Sequence, residues 1–345
     1  MSDAAGAHFE PLGGERWRDP FSMYRALRDH DPVHRVPDNG DGEDYWVLSR
    51  FRDVFAAAVD AKTFSSASGL TFAYGDMASL GLEAPIVMMD PPDHTSLRKL
   101  AIKQFTPQRV AALDPMIREF VVERIERLRE MGEGDIVEEL LKPLPSLVVS
   151  HFLGVPREDR ALFDRWTNAI VAANAGPGVL DAAEAVGELM GYFNDLMEKR
   201  RAEPGDDVIS ALVHGRLKSG EEVSVAKILG MGFTLVTGGN DTTTGLLGGT
   251  LELLTKHPDQ RALLLSGSGN SKNAVEEFLR LTSPVQGLTR TAMSDVEIQG
   301  QTIPKGRKVL LLYASANRDE REFGENADCC DVTRKITRHV ALSYG

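Results

Sequence analysis

The stretch from Ser224 to Leu254 constrains this chain more than any other, because its apolar residues keep helical register throughout and no proline interrupts it. At 1.5 Å per residue, such a helix would be on the order of 45 Å long, enough to cross a whole domain. Ser224 is placed to cap its start, and His257 and Pro258 follow its end. Its middle is chemically odd. Thr237, Gly238, Gly239, Asn240, Asp241, Thr242, Thr243 and Thr244 each disfavour a helix interior, at a summed cost on the order of 3 kcal/mol. Two explanations fit that cost. Small residues let a ligand approach the backbone beside an acid and a hydroxyl that can pass a proton, or the glycines merely admit a crossing helix while the polar residues face solvent.

Around this spine the pattern predicts a short helix from Pro20 to His30 and strands at Pro32–Val36 and Tyr45–Ser49, joined by a turn at Asp38–Gly42. Leu70 to Met89 reads as a long loop of the kind that carries function. Asp114 and Pro115 open a helix with Ile117, Phe120, Val121, Ile125 and Leu128 on one face. After a Gly- and Ser-rich gap at Ser266–Ser271, a helix runs to Leu281, and Leu288–Ala292, Val296–Ile303 and Lys308–Ala314 read as strands. The expected fold is mostly α with a small β portion. No repeat or composition break marks a linker, so residues 1–345 are expected to form a single domain.

Charge and apolar content exclude several partners. A formal net charge of −12 repels a phosphate backbone and anionic lipid, so nucleic acid is not expected as a partner. The greasiest segment, Ile228–Val236, is about half of a membrane span, and no membrane span is expected. Met1–Glu10 carries Asp3 and no apolar run, and Cys329 and Cys330 read as reduced thiols that fit no metal cage, so a cytoplasmic location is expected.

Two further pairs stand out. Glu277 and Arg280 are three apart on one helix face, and His94 and Arg98 are four apart after the helix-start sequence Asp90-Pro91-Pro92. Each alone is as well explained by a solvated face. Together with Gly238-Gly239-Asn240-Asp241-Thr242-Thr243, their order and spacing resemble the cytochrome P450 family from roughly Trp17 onward. That family's oxygen-binding helix reads (A/G)-G-x-(D/E)-T-(T/S), with E-x-x-R and H-x-x-x-R elsewhere.

The resemblance implies a bacterial-type monooxygenase of P450-like fold with heme as cofactor. It would hydroxylate an apolar small molecule of lipid, terpenoid or steroid class, using O2 and two electrons from a ferredoxin or similar donor. Asp241 and Thr242 would relay protons. His94, Arg98, Gly238, Gly239, Arg290 and His339 would hold the heme, and Glu277, Arg280 and Arg334 would form a structural network. Val285, Gly287 and Leu288 would touch substrate. Leu342-Ser343-Tyr344-Gly345 matches only the opening of the family's cysteine loop, so the axial Cys is expected beyond Gly345, and the proximal loop and final helix with it. The alternative is a non-catalytic remnant that binds heme or an apolar ligand without an axial thiolate. A helical scaffold with no ligand leaves the joint motifs unexplained.

Overall fold

The computed structural model describes residues 7–11, 19–37, 44–72, 83–163, 165–166, 179–267 and 271–343. The turn expected at Asp38–Gly42, and parts of the Leu70–Met89 loop and the Ser266–Ser271 gap, lie outside them. The chain divides into two compact units, Met1–Gly81 with Gly249–Gly345 as unit 1 and Leu82–Gly248 as unit 2.

Unit 1 carries the β portion. Helix α1 (Phe21–His30) precedes β1 (Val33–Val36) and β2 (Tyr45–Leu48), which pair antiparallel as expected. Helix α2 (Phe51–Val59) and β3 (Phe64–Ser65) follow. Later in the chain come β4 (Leu288–Ala292), β5 (Val296–Ile298), β6 (Gln301–Ile303) and β7 (Lys308–Leu311). The main sheet has the order β1-β2-β7-β4-β3, with β7 parallel to β2 and antiparallel to β4. Trp46, Leu48, Val309 and Leu311 point into one core with Phe51 and Val54 of α2, while Val47 and Leu310 point into another with Tyr24 and Leu27 of α1. This alternation is what a sheet buried on both faces requires.

Two strand expectations are corrected. Val296–Ile303 is a hairpin, β5 against β6, because Gln299 and Gly300 both take positive φ (51° and 75°) and reverse the chain. Lys308–Ala314 stays extended only to Leu311, and Tyr313 to Ala316 is a buried helical turn.

Unit 2 is helical: α3 (Asp93–Ala101), α4 (Pro107–Ala111), α5 (Asp114–Met131), α6 (Pro143–Leu153), α7 (Val179–Ala202) and α8 (Val208–Val213). The long helix is α9, Val225–Lys256, and Ser224 Oγ accepts the Lys227 amide at 3.2 Å to cap it. Gly232 lets Phe193 of α7 lie against α9, since a Cβ there would meet the ring at 3.0 Å. Ile228, Met231 and Val236 enter the unit 2 core with Leu189, Phe193 and Met197. Helix α5 forms where expected, but its apolar face is not buried. Ile117 packs only at the core margin, and Ile125 is 43% exposed. Periodicity placed those residues on one face without supplying a partner for it.

Beyond α9 lie two helices of unit 1, α10 (Pro258–Leu265) and α11 (Ser271–Thr282). The first of them starts with Pro at N1 and went unread in the sequence, where Pro258 marked only the end of the preceding helix. No described helix is long and apolar enough to cross a membrane.

Candidate active site

In unit 2 the motif of the long helix separates its two glycines by function. A Cβ on Gly239 would lie 2.7 Å from Val149 Cγ2 of α6, whereas a Cβ on Gly238 would meet nothing within 4 Å among the described residues. Close helix packing explains the first, and an open face above the backbone remains at the second. On that open face, one turn on, Thr242 Oγ1 donates to the Gly238 carbonyl at 2.6 Å. Thr234 and Thr237 donate likewise to Gly230 (2.8 Å) and Phe233 (3.0 Å), and such back-bonding loosens a helix. Asp241 keeps an exposed edge, yet neighbouring atoms desolvate its carboxyl and raise its pKa, with Lys142 pulling the other way.

His94 and Arg98 sit one turn apart on α3. Desolvation, then the Arg98 charge, lowers the His94 pKa against the opposing pull of Asp90, which favours a neutral ring. Arg98 is exposed, and its guanidinium has no hydrogen-bond or ion-pair partner among the described residues.

In unit 1, Glu277 and Arg280 are wholly buried on α11 and meet through two bonds of 2.8 Å. Arg280 also donates to the carbonyls of Asn317 (2.7 Å) and Ala327 (2.6 Å). Glu277 accepts from Arg334 Nε at 3.2 Å and from the Asp331 amide at 3.1 Å. These three side chains are brought together as a nearly saturated network.

The other unit 1 residues are more scattered in their engagements. Arg290, on β4 and 8% exposed, donates to the Thr289 carbonyl (2.9 Å) and to Ser343 Oγ (3.3 Å), and has no carboxylate partner among the described residues. His339 Nε2 instead meets Glu276 Oε2 at 2.9 Å, and its Nδ1 accepts the Ala341 amide. Val285 and Leu288 pack at the edge of the sheet core, and Gly287 lies where a Cβ would come within 2.6 Å of the Leu311 carbonyl. Glu276 and Ser343, which hold His339 and Arg290, carry no motif signal that would single them out.

A heme is a flat apolar disc with two carboxylates on one edge, so it needs an open apolar face and cationic donors not already satisfied. Unit 2 offers the open face at Gly238 and the unpaired Arg98. Unit 1 offers Arg290, a buried guanidinium with no counter-ion among the described residues, which is an unfavourable arrangement until a carboxylate joins it. Each unit by itself offers groups of the kind a heme needs, with His339 committed to Glu276 as the exception.

Unit 2 also holds an apolar cavity of about 430 Å³, walled by Phe105, Leu144, Val148, Phe152, Leu235 and Leu247. Gly239 and Thr243 line it, and Gly238 and Thr242 do not. This apolar hollow beside α9 therefore opens on a different helix face from the acid and hydroxyl of the motif.

A family model described as Cytochrome P450 matches residues 271–334. Cytochrome P450 130 of Mycobacterium tuberculosis is 54% identical over 350 residues, spanning all of this chain and 86% of the relative. Vitamin D(3) 25-hydroxylase of Pseudonocardia autotrophica is 37% identical over 97% of this chain and 82% of its own length. The solved structure of cytochrome P450 CYP109Q5 from Chondromyces apiculatus superposes with a TM-score of 0.82 at 35% identity, covering 96% of this chain and 83% of that one. With the spine, the buried Glu277–Arg280–Arg334 network and full-length identity at this level, the chain belongs to the cytochrome P450 family.

Proposed function

We propose that this monooxygenase acts on an apolar small molecule of the lipid, terpenoid or steroid class, with electrons from a ferredoxin or similar donor. The observation that carries the reading is the open face at Gly238, with Thr242 one turn on and Asp241 beside it. Val285 and Leu288, our candidates for substrate contact, are apolar and partly buried. A relative named for hydroxylating vitamin D(3) points the same way.

Family members bind heme, and when bound it supplies the activation of O2 for insertion of one oxygen atom into a C–H bond. The residues of this chain do the rest. Arg98 and Arg290 would each pair with a heme carboxylate, and His94, neutral or protonated, would add a hydrogen bond. His339 would join after exchanging Glu276 for that edge. Gly238 and Gly239 together keep the helix thin, one toward the ligand and one toward α6. Asp241, its carboxyl pKa raised by burial, is suited to hold a proton at Oδ and release it. Thr242 Oγ1 passes a proton by turning its hydrogen from the Gly238 carbonyl.

The test is spectral. Heme-loaded protein is titrated with apolar and with charged small molecules, and apolar compounds alone are expected to shift the Soret band. A response confined to charged compounds overturns the substrate class. Arg98→Ala and Arg290→Ala are each expected to weaken heme uptake about tenfold, the value of one charge-assisted contact. Unchanged uptake in both removes the assignment. For the thiolate, the reduced carbon monoxide difference spectrum is expected to show the thiolate band only when a glycine-rich cysteine loop follows Gly345. In the loaded enzyme Thr242→Ala should consume oxygen without matching product.

A further inference from the structure

Asn240 fills the variable position of the α9 motif, and nothing above gives it a part. It is 4% exposed, and neither its Oδ1 nor its Nδ2 has a hydrogen-bond partner among the described residues. The amide offers two donors and two acceptor lone pairs. Each buried polar group left unpaired costs about 1–3 kcal/mol, and a leucine of similar volume would carry no such cost. The amide therefore calls for a hydrogen-bonding occupant that protein atoms do not supply.

Helix α6 is pressed against α9 at Gly239, the residue before Asn240. One turn on from Asn240, Thr244 Oγ1 donates to the Leu141 carbonyl at 3.1 Å, which fixes α9 to the turn leading into α6. A buried water typically makes about three hydrogen bonds to otherwise unsatisfied groups. The segment beside it is also soft, with Gly238 and Gly239 adjacent and Thr237 and Thr242 bonding back to carbonyls one turn earlier. A fixed point in that segment would set where its side chains aim.

We infer that Asn240 is a positioning residue: its amide binds an ordered water inside unit 2 and so pins the Gly238–Thr243 backbone, orienting Asp241 and Thr242. The meaning of that orientation rests on the proposed function, but the pin itself does not.

The test uses amide hydrogen exchange of the protein of residues 1–345, without turnover, so that a failed monooxygenase reading leaves its outcome intact. In Asn240→Leu, amides from Gly238 to Thr243 are expected to exchange at least tenfold faster while the rest of unit 2 keeps its protection, with no rise in Tm. Asn240→Ser, which retains a polar group and leaves room for water, is expected to restore at least half of the protection on a logarithmic scale. A higher Tm with unchanged exchange in Asn240→Leu shows an idle buried amide and overturns the inference. Faster exchange spread evenly over unit 2 shows a packing role only, and overturns it as well. Should the leucine variant fail to fold, a high-resolution crystal structure of the unaltered protein decides. Water within hydrogen-bond distance of both amide atoms supports the pin, and an empty or dry contact overturns it.

Discussion

Two polar regions of this protein are built on opposite terms. At Glu277, Arg280 and Arg334, charges at 0%, 0% and 12% side-chain exposure are matched by carboxylate, carbonyl and amide partners on all sides. At Gly238–Thr243, the helix carries an open face, a desolvated carboxyl, a hydroxyl turned onto its own backbone and an amide with no partner. Satisfied groups have little left to offer a ligand, so the first region is committed to internal partners while the second keeps uncommitted groups. Polar residues in a sequence look alike in both cases, and the difference lies in what surrounds them.

That contrast can be broken most severely at Glu277. Glu277→Ala leaves Arg280 buried without its counter-ion and is expected to cost about 3–5 kcal/mol, read by denaturant unfolding. A cost under about 1 kcal/mol would mean that the network is dispensable, since that is the scale of exposed pairs. Next come the two glycines, which should respond in opposite directions. Gly239→Ala drives a methyl toward Val149 and is expected to destabilise by about 1–2 kcal/mol net of its better helix propensity. Gly238→Ala meets no neighbour and should gain up to about 1 kcal/mol in stability, while narrowing the face proposed for ligand. Equal effects at both positions would erase the distinction drawn between them.

The smallest expected effect is at Asp241. Its folded-state pKa is raised, chiefly by desolvation, so the fold favours the protonated carboxyl. The stability it contributes is complete below the ordinary aspartate pKa and is lost as pH rises through the raised value. Asp241→Asn, which cannot ionise, should therefore compare more favourably with the unaltered protein at about pH 7 than at about pH 3, by thermal unfolding at both. A relative gain at the acidic end instead would show a carboxylate stabilised by Lys142.

Much of the frame was legible beforehand. The capped spine, the α1 helix, the β1–β2 pair and the E-x-x-R pair all rest on local signals, namely period, caps and spacing. The hairpin at Gln299–Gly300 escaped because the whole Val296–Ile303 stretch was read as one strand across its polar middle, and the positive φ of both turn residues reveals the reversal. His339 was assigned by motif to a heme edge, and its bond to Glu276 depends on a neighbour far away in the chain. The uncovered face of α5 was equally hidden, because a stripe of apolar side chains is the same whether or not something packs on it.

By itself, the sequence determined the elements and their chemistry, since helix period, capping and propensity act over a few neighbouring residues. Tertiary structure alone decided which glycine makes room for a helix and which keeps an open face, and which buried polar groups end up paired. Those outcomes turn on distances between residues remote in the chain, and no local pattern encodes them.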